Sequence, residues 1–370
     1  MRKSTIIAVL FSLFTCAAFS QLSPQDKLAL QIPAEQTYST TGISSYVKNN
    51  FSTDSARVRA LFVWVANNIR YDVEKIRLKK IQERTTVQDV LKTRMGVCQG
   101  YAELLVALNK ACNINSVLVP GYTKKQDGSI AELSHAWVAT EVNSKWYLFD
   151  PTWAAGMVND FKFTPTFSNR YYKLAPEEMI KDHMPFDPMY QFLNHTLSYN
   201  EFNRGNTGIN TGKPYFNYVD TINTYNRMDS LDQFINTARR ISKNGEKNQM
   251  ILDMVQVLNK NQTSGESKIG FEGAVAEYKR ATELFNKYID HKNKRFSLIK
   301  DNRELEQMID GVLEHFNAAK AMIEPVVAMT EDQKRSLASF NSNFYNFYRR
   351  VDEEKIFVKN YIKNNKAAGN

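Results

Sequence analysis

Apolar positions change period along the chain, and each change marks an element. In "STDSARVRALFVWVANNIRYD" the residues Val58, Leu61, Phe62, Val65 and Ile69 recur at helical steps behind Ser52 or Thr53 as N-cap. Thr86, with Asp89 three residues later, opens a short second helix that Gly96 is expected to stop. From Val97 the positions Tyr101, Leu104, Leu105, Leu108 and Ala111 make the stripe of one amphipathic helix. The pattern then turns to β-branched and aromatic runs: "INSVLVPGY", "SHAWVATEV" after the polar turn "TKKQDGS", and "KWYLFD" after Asn143 and Ser144. Helices first and antiparallel strands afterwards predict a small α+β domain over residues 21–195.

Residues 196–226 keep neither period. Rich in Asn, Gly, Thr and Tyr ("NRGNTGINTGKPYFNY"), they read as a linker or irregular β segment. From 227 to 370 the pattern is helical again. Leu305, Met308, Ile309, Val312, Leu313, Phe316 and Ala319 form one stripe, and Leu337, Phe340, Phe344, Tyr348, Val351, Val358 and Tyr361 another. Breaks at "KNGEK" and "NQTSGES" divide it into about five helices, a bundle or a helical-repeat domain with its aromatics in the core.

The start, "MRKSTIIAVLFSLFTCAAFS", has a basic tip, an apolar run and small residues at Ala18 and Ser20. Residues 1–20 are therefore expected to be an export signal, which makes the mature protein periplasmic or secreted. No later apolar run approaches the roughly 18 residues of a membrane span. Signal removal takes away Arg2 and Lys3, lowering the formal charge from +9 by two. Basic and acidic residues are interspersed, which predicts a solvated surface and argues against nucleic acid as a partner.

Cys98 and Cys112 remain after the leader, and in an oxidising compartment two thiols invite pairing. Helix geometry argues otherwise. Fourteen helical residues separate their Cα atoms by about 21 Å, whereas a disulfide needs less than about 7 Å. Cys98 is then a free thiol in the first turn of a helix, and Cys112 an inert core thiol.

A thiol whose ordinary pKa is near 8.5 works at neutral pH once its thiolate is favoured, and the positive end of a helix dipole contributes to that. A base and an orienting group would complete the machinery. His135 opens one predicted strand and Asp150 closes the next. A hairpin turning at Asn143 and Ser144 sets Asp150 opposite Trp137, with His135 two residues away on the same face, within reach of the carboxylate. Gly100, costly inside a helix, points to close approach of a substrate, of another backbone or of a neighbouring strand.

The stretches "GVCQGYAELLVALNKACNINSVLVPGY" and "SHAWVATEVNSKWYLFDPTWAAG" resemble the transglutaminase-like superfamily, in particular its bacterial and kyphoscoliosis-peptidase-like branch. Flanking "VRALFVWVANNIRYD" and "YYKLAPEEMIKDHMPFDPMYQFL" are similar to that branch too. The resemblance implies a papain-like α+β core, with the nucleophile helix on an antiparallel sheet, followed here by an all-α domain. It implies Cys98 as nucleophile, His135 as base and Asp150 as its orienting group, acting on a peptide or carboxamide through a thioester. Trp137 and Trp153 are expected to wall the triad and touch substrate. His183 matches a position of the family but reads as a structural residue in a proline-bounded turn.

Strict transglutaminases often carry an aromatic beside the nucleophile and calcium sites. Gln99 follows Cys98 here and no acidic loop has calcium spacing, so hydrolysis is favoured over crosslinking, and no cofactor or metal is expected. The expected activity is that of an exported thiol hydrolase or acyltransferase on a protein or peptide substrate, with the C-terminal helices available to a protein partner. The alternative is a weakly active or inactive scaffold that binds peptides.

Overall fold

The computed structural model describes residues 22–81, 83–297, 301–327 and 330–368, with side chains through residue 364. The expected export signal lies outside the described residues. The chain divides into two compact units, one running through Asn223 and taking in Lys243–Ile251, the other formed by Thr224–Ser242 and Leu252–Asn370.

The first unit is an α+β domain. After a short helix at Pro24–Ala29 come α1 (Thr40–Asn50), α2 (Asp54–Asn68), α3 (Val87–Thr93) and α4 (Cys98–Ala111). Thr53 caps α2, and Thr86 with Asp89 closes a full capping box on α3. Helix α3 ends at Arg94, in the left-handed region at φ 58°, two residues before the expected stop. Gly96 instead pairs with Tyr71 in a two-stranded parallel ladder.

Strands β1 (Ser116–Thr123), β2 (His135–Val142) and β3 (Lys145–Phe149) follow. Helix α5 (Pro151–Ala155) leads into the ribbon of β4 (Gly156–Asn159) and β5 (Lys162–Pro165), and β6 (His183–Pro185) completes the set. The main sheet is antiparallel in the order β3-β2-β1-β6. Asn143 and Ser144, both at positive φ, make the two-residue turn between β2 and β3. Its register, Val138 opposite Phe149 and Val142 opposite Lys145, is the one the sequence predicts.

Helix α4 lies on this sheet. Tyr101, Leu104, Leu105 and Leu108 are buried with Phe62, Val138 and Phe149 in one core. A buried polar cluster fixes where the helix sits: the Asn109 amide donates to Ser116 Oγ at 3.2 Å and to Thr140 Oγ1 at 3.1 Å. Gly100 lies against the Gly96 backbone and against α3. A Cβ there would stand 3.1 Å from Val90 Cγ2, so the glycine lets α3 approach α4. Cys98 and Cys112 are both buried free thiols at opposite ends of α4, and burial pushes the Cys112 thiol up from its ordinary value.

The segment read as a linker contributes to this unit. Ser198 and Glu201 form a capping box on a short helix, Tyr199–Asn203, whose Tyr199 and Phe202 are buried against Tyr122. A second helix spans Tyr218–Tyr225. Isolated aromatics between Asn and Gly residues hide such packing from a search for period.

The second unit is all-α: α6 (Ser230–Lys243), α7 (Gln249–Asn293), α8 (Asn302–Ile323) and α9 (Glu331–Ala368). Its three long helices share an aromatic core that includes Phe285, Tyr288, Phe316 and Phe344, the arrangement of a bundle. The expected break at "NQTSGES" does not occur, because α7 runs through it. Thr263 Oγ1 donates back to the Asn259 carbonyl, Gln262 donates to Glu266, and Leu231 packs on Gly265 at 3.3 Å from where a Cβ would be.

Gly121 in β1 is the tightest point between the sheet and the site described below. A Cβ there would lie 2.2 Å from the Met184 carbonyl oxygen and 2.5 Å from the Trp137 ring. Gly121→Ala is expected to destabilise the protein by about 1–3 kcal/mol, read as a lower midpoint of urea unfolding followed by tryptophan fluorescence.

Candidate active site

Cys98 is the first residue of α4. The N-cap, Val97, supplies no side-chain hydrogen bond, so the amides of the first turn keep their partial positive charge. The thiol is 7% exposed. Across from it His135 opens β2, and one residue beyond β3 stands Asp150.

Asp150 is completely buried and divides its two oxygens between two tasks. Oδ1 accepts the backbone N–H groups of Thr152 at 2.9 Å and Trp153 at 3.1 Å, capping α5. Oδ2 is left for imidazoles: His135 Nε2 at 2.7 Å and His183 Nε2 at 3.2 Å. Burial would raise the Asp150 pKa, but the His135 charge and the hydrogen bonds from both rings outweigh it and hold the carboxyl well below the usual range. Burial likewise pushes His135 down. The Asp150 carboxylate, with the neighbouring Cys98 side chain acting in the same direction, overcomes that and holds His135 up at about 10. With Nε2 engaged by Asp150, Nδ1 is the nitrogen left for the thiol.

His183 adjoins Asp150, a placement that its sequence context conceals. Instead of lying in a turn it heads the edge strand β6, opposite Thr123. Its buried ring bridges two carboxylates, with Nε2 on Asp150 and Nδ1 2.6 Å from Asp182 Oδ1. Tyr171 donates to the other Asp182 oxygen at 2.7 Å. The readable signal was the acid beside it in "KDHMP", carried to the site by pairing with β1.

Tyr71 is the second residue missed. The ladder between Arg70–Tyr71 and Met95–Gly96 brings its phenol to the backbone N–H of Cys98. Burial, together with the Cys98 and Asp150 charges, pushes that phenol far above its ordinary value, so it stays a neutral donor. Trp153 faces the cleft and lies 5.4 Å from the His135 ring, as expected of a wall. Trp137 is 1% exposed and backs His135 and His183 from behind, at 6.2 and 5.0 Å between ring centroids. It supports the imidazoles and is not positioned to touch substrate.

His135, Asp150 and His183 bring donor atoms within 4.8 Å of one another, the one group among the described residues with the composition of a metal site. Two ligand atoms on a tetrahedral zinc, each about 2.0 Å from the ion, stand roughly 3.3 Å apart. The 2.7 Å between His135 and Asp150 is shorter than that and fits a shared proton. Beside His135 opens a cleft of about 790 Å³, with Tyr71, Trp153, Met157, Val158 and Tyr171 among its walls.

Residues 41–151 match the transglutaminase-like superfamily. The chain is 30% identical to the kyphoscoliosis peptidase of Mus musculus and 29% identical to that of Homo sapiens, in each case over 212 residues. Those alignments cover 52% of this chain and 32% of each relative, so the match spans about a third of their length. A solved structure described as a TGase is 21% identical, with a TM-score of 0.23 over 32% of this chain and 31% of that one. These matches support, for the matched region, the transglutaminase-like superfamily and its kyphoscoliosis-peptidase-like branch.

The split of Asp150 predicts a titration. In Asp150→Asn the His135 ring loses the charge that holds its proton, so its pKa should fall from about 10 toward the ordinary 6.5. NMR titration of the imidazole resonances reads this directly.

Proposed function

We propose that this protein is a thiol hydrolase or acyltransferase in which Cys98, His135 and Asp150 act as nucleophile, acid–base and orienting carboxylate on a peptide or carboxamide. The observation that carries the reading is the His135 ring fixed by the buried Asp150 carboxylate at 2.7 Å, with the Cys98 side chain close enough to act on its charge. A histidine raised to about 10 keeps its proton at neutral pH and so has one to give in the first half of the reaction. Cys98 Sγ attacks the carbonyl carbon. The oxyanion that forms lies near two donors, the Cys98 backbone N–H at the start of α4 and the neutral Tyr71 phenol. As the tetrahedral species collapses, His135 gives its proton to the departing amine, leaving an acyl thioester.

For the second half, neutral His135 takes a proton from the incoming water or amine and keeps it as the thiolate leaves, which restores the starting state. Water is the favoured acceptor, since Gln99 beside the nucleophile turns outward to Glu103 at 2.7 Å and builds no apolar slot for an amine. We further propose that the enzyme works outside the cytoplasm, as its first twenty residues suggest, and that the α-helical unit serves to engage a protein partner.

The test uses the full chain and an activated ester or peptide amide, with quenched samples analysed by mass spectrometry. An acyl adduct on the Cys98 peptide is expected, and Cys98→Ala should lower turnover by roughly 10⁴-fold or more. No adduct with any ester or amide, while the protein still binds peptides, would favour the scaffold reading instead.

A further inference from the structure

His183 is buried in the edge strand β6, at a position where an apolar side chain would cost less. Pinning the strand does not require the ring. Backbone bonds hold it on both sides, from the Lys124 N–H to the Asp182 carbonyl at 2.9 Å and from the Phe186 N–H to the Pro120 carbonyl at 3.0 Å, and β6 pairs with β1 from His183 to Pro185 between them. What the imidazole adds is its pair of side-chain contacts, Nε2 on Asp150 Oδ2 at 3.2 Å and Nδ1 on Asp182 Oδ1 at 2.6 Å.

The first contact completes a set. A carboxylate offers about four acceptor sites. On Asp150 the two amides of α5 occupy Oδ1, His135 takes one site of Oδ2, and His183 takes the other. With every site filled the carboxylate has one orientation, and His135 has one place to meet it. The second contact steadies the first. Burial would raise the Asp182 carboxyl, but the hydrogen bond and charge of His183, with the Tyr171 hydroxyl, outweigh it and hold the group below its ordinary value. Asp182 therefore stays an acceptor for Nδ1, while Trp137, Trp153 and Tyr171 enclose the ring at 5.0, 4.6 and 5.3 Å between centroids. Tyr171 and Asp182 also line the cleft, so the chain of contacts runs from the cleft wall to His135.

From this filled carboxylate and the enclosed ring that completes it, we infer that His183 is a positioning residue for acyl transfer. It donates from Nε2 to Asp150 so that the carboxylate holds His135 in a single orientation, and Asp182 orients His183 in turn. The inference rests on the acyl-transfer reading above and adds two side chains to its machinery.

The experiment compares the full chain with His183→Gln, whose longer side chain carries an amide nitrogen to the place of Nε2, and with His183→Asn, whose shorter one reaches only the place of Nδ1. Two properties are followed: hydrolysis of p-nitrophenyl acetate, with Cys98→Ala as background, and the downfield proton resonance of the His135 N–H shared with Asp150. His183→Asn should lower kcat by about tenfold to a hundredfold with KM within about twofold, and His183→Gln should recover most of that loss. The resonance should be present in the parent and in His183→Gln, and broadened by solvent exchange in His183→Asn. Asp182→Ala leaves the donors on Asp150 in place but frees the His183 ring; it should lower kcat by about threefold to tenfold, and it carries the test should His183→Asn fail to fold. A role confined to stability predicts lower unfolding midpoints with kcat and the resonance unchanged, and that result would overturn the inference. Equal losses in the Gln and Asn variants, or a parent without the resonance, would overturn it too. Acylation of Cys98 whose kcat ignores His183 sinks only the positioning role, whereas no acylation of the parent by ester or amide sinks both levels.

Discussion

The buried carboxylate of Asp150 must remain charged, and much of the site's arrangement satisfies that requirement. An isolated ionised group in the interior costs several kcal/mol after relaxation. Here the cost is offset by four donors: two backbone amides from the first turn of α5 and two imidazoles from β2 and β6. The arrangement is directional. Because one oxygen is committed to capping α5, the other is fixed in the plane where His135 presents Nε2, which leaves Nδ1 for Cys98. Removing any donor would leave the charge less compensated and the His135 ring less constrained.

Delivery of those groups depends on a few local features of the chain. The two-residue turn at Asn143 and Ser144 sets the register that brings Asp150 back to His135. Gly121 lets β6 and Trp137 close on β1, and with β6 comes His183. Gly100 lets α3 pack tightly on α4, while Asn109 pins the far end of α4 to β1 and β2, so the helix that starts at Cys98 cannot slide along the sheet. The thiol, the ring and the carboxylate thus come from three different elements, each held by its own constraint.

Much of this was legible in the sequence because it is carried by local period and by short separations. The α4 stripe placed the two cysteines at opposite ends of one helix, and counting across the hairpin turn placed His135 beside Asp150. His183 and Tyr71 were not legible for the same physical reason. Each reaches the site through a strand of two or three residues paired to a distant segment, and so short a ladder leaves no periodic trace. Polarity misled in the helical unit, where "NQTSGES" reads as a break yet is held in helix by side-chain bonds and the Leu231 contact. Gly100 was correctly read as a point of close approach, to the Gly96 backbone and to a helix.

The central claim is that Cys98 and His135 form one chemical unit. Alkylation of Cys98 by iodoacetamide, followed across pH in the parent protein and in His135→Ala, tests it most directly, with labelling at Cys98 and Cys112 resolved by mass spectrometry. The account predicts that removing the imidazole changes the Cys98 rate profile and leaves that of buried Cys112 as it was. A Cys98 profile identical in the two proteins would contradict it.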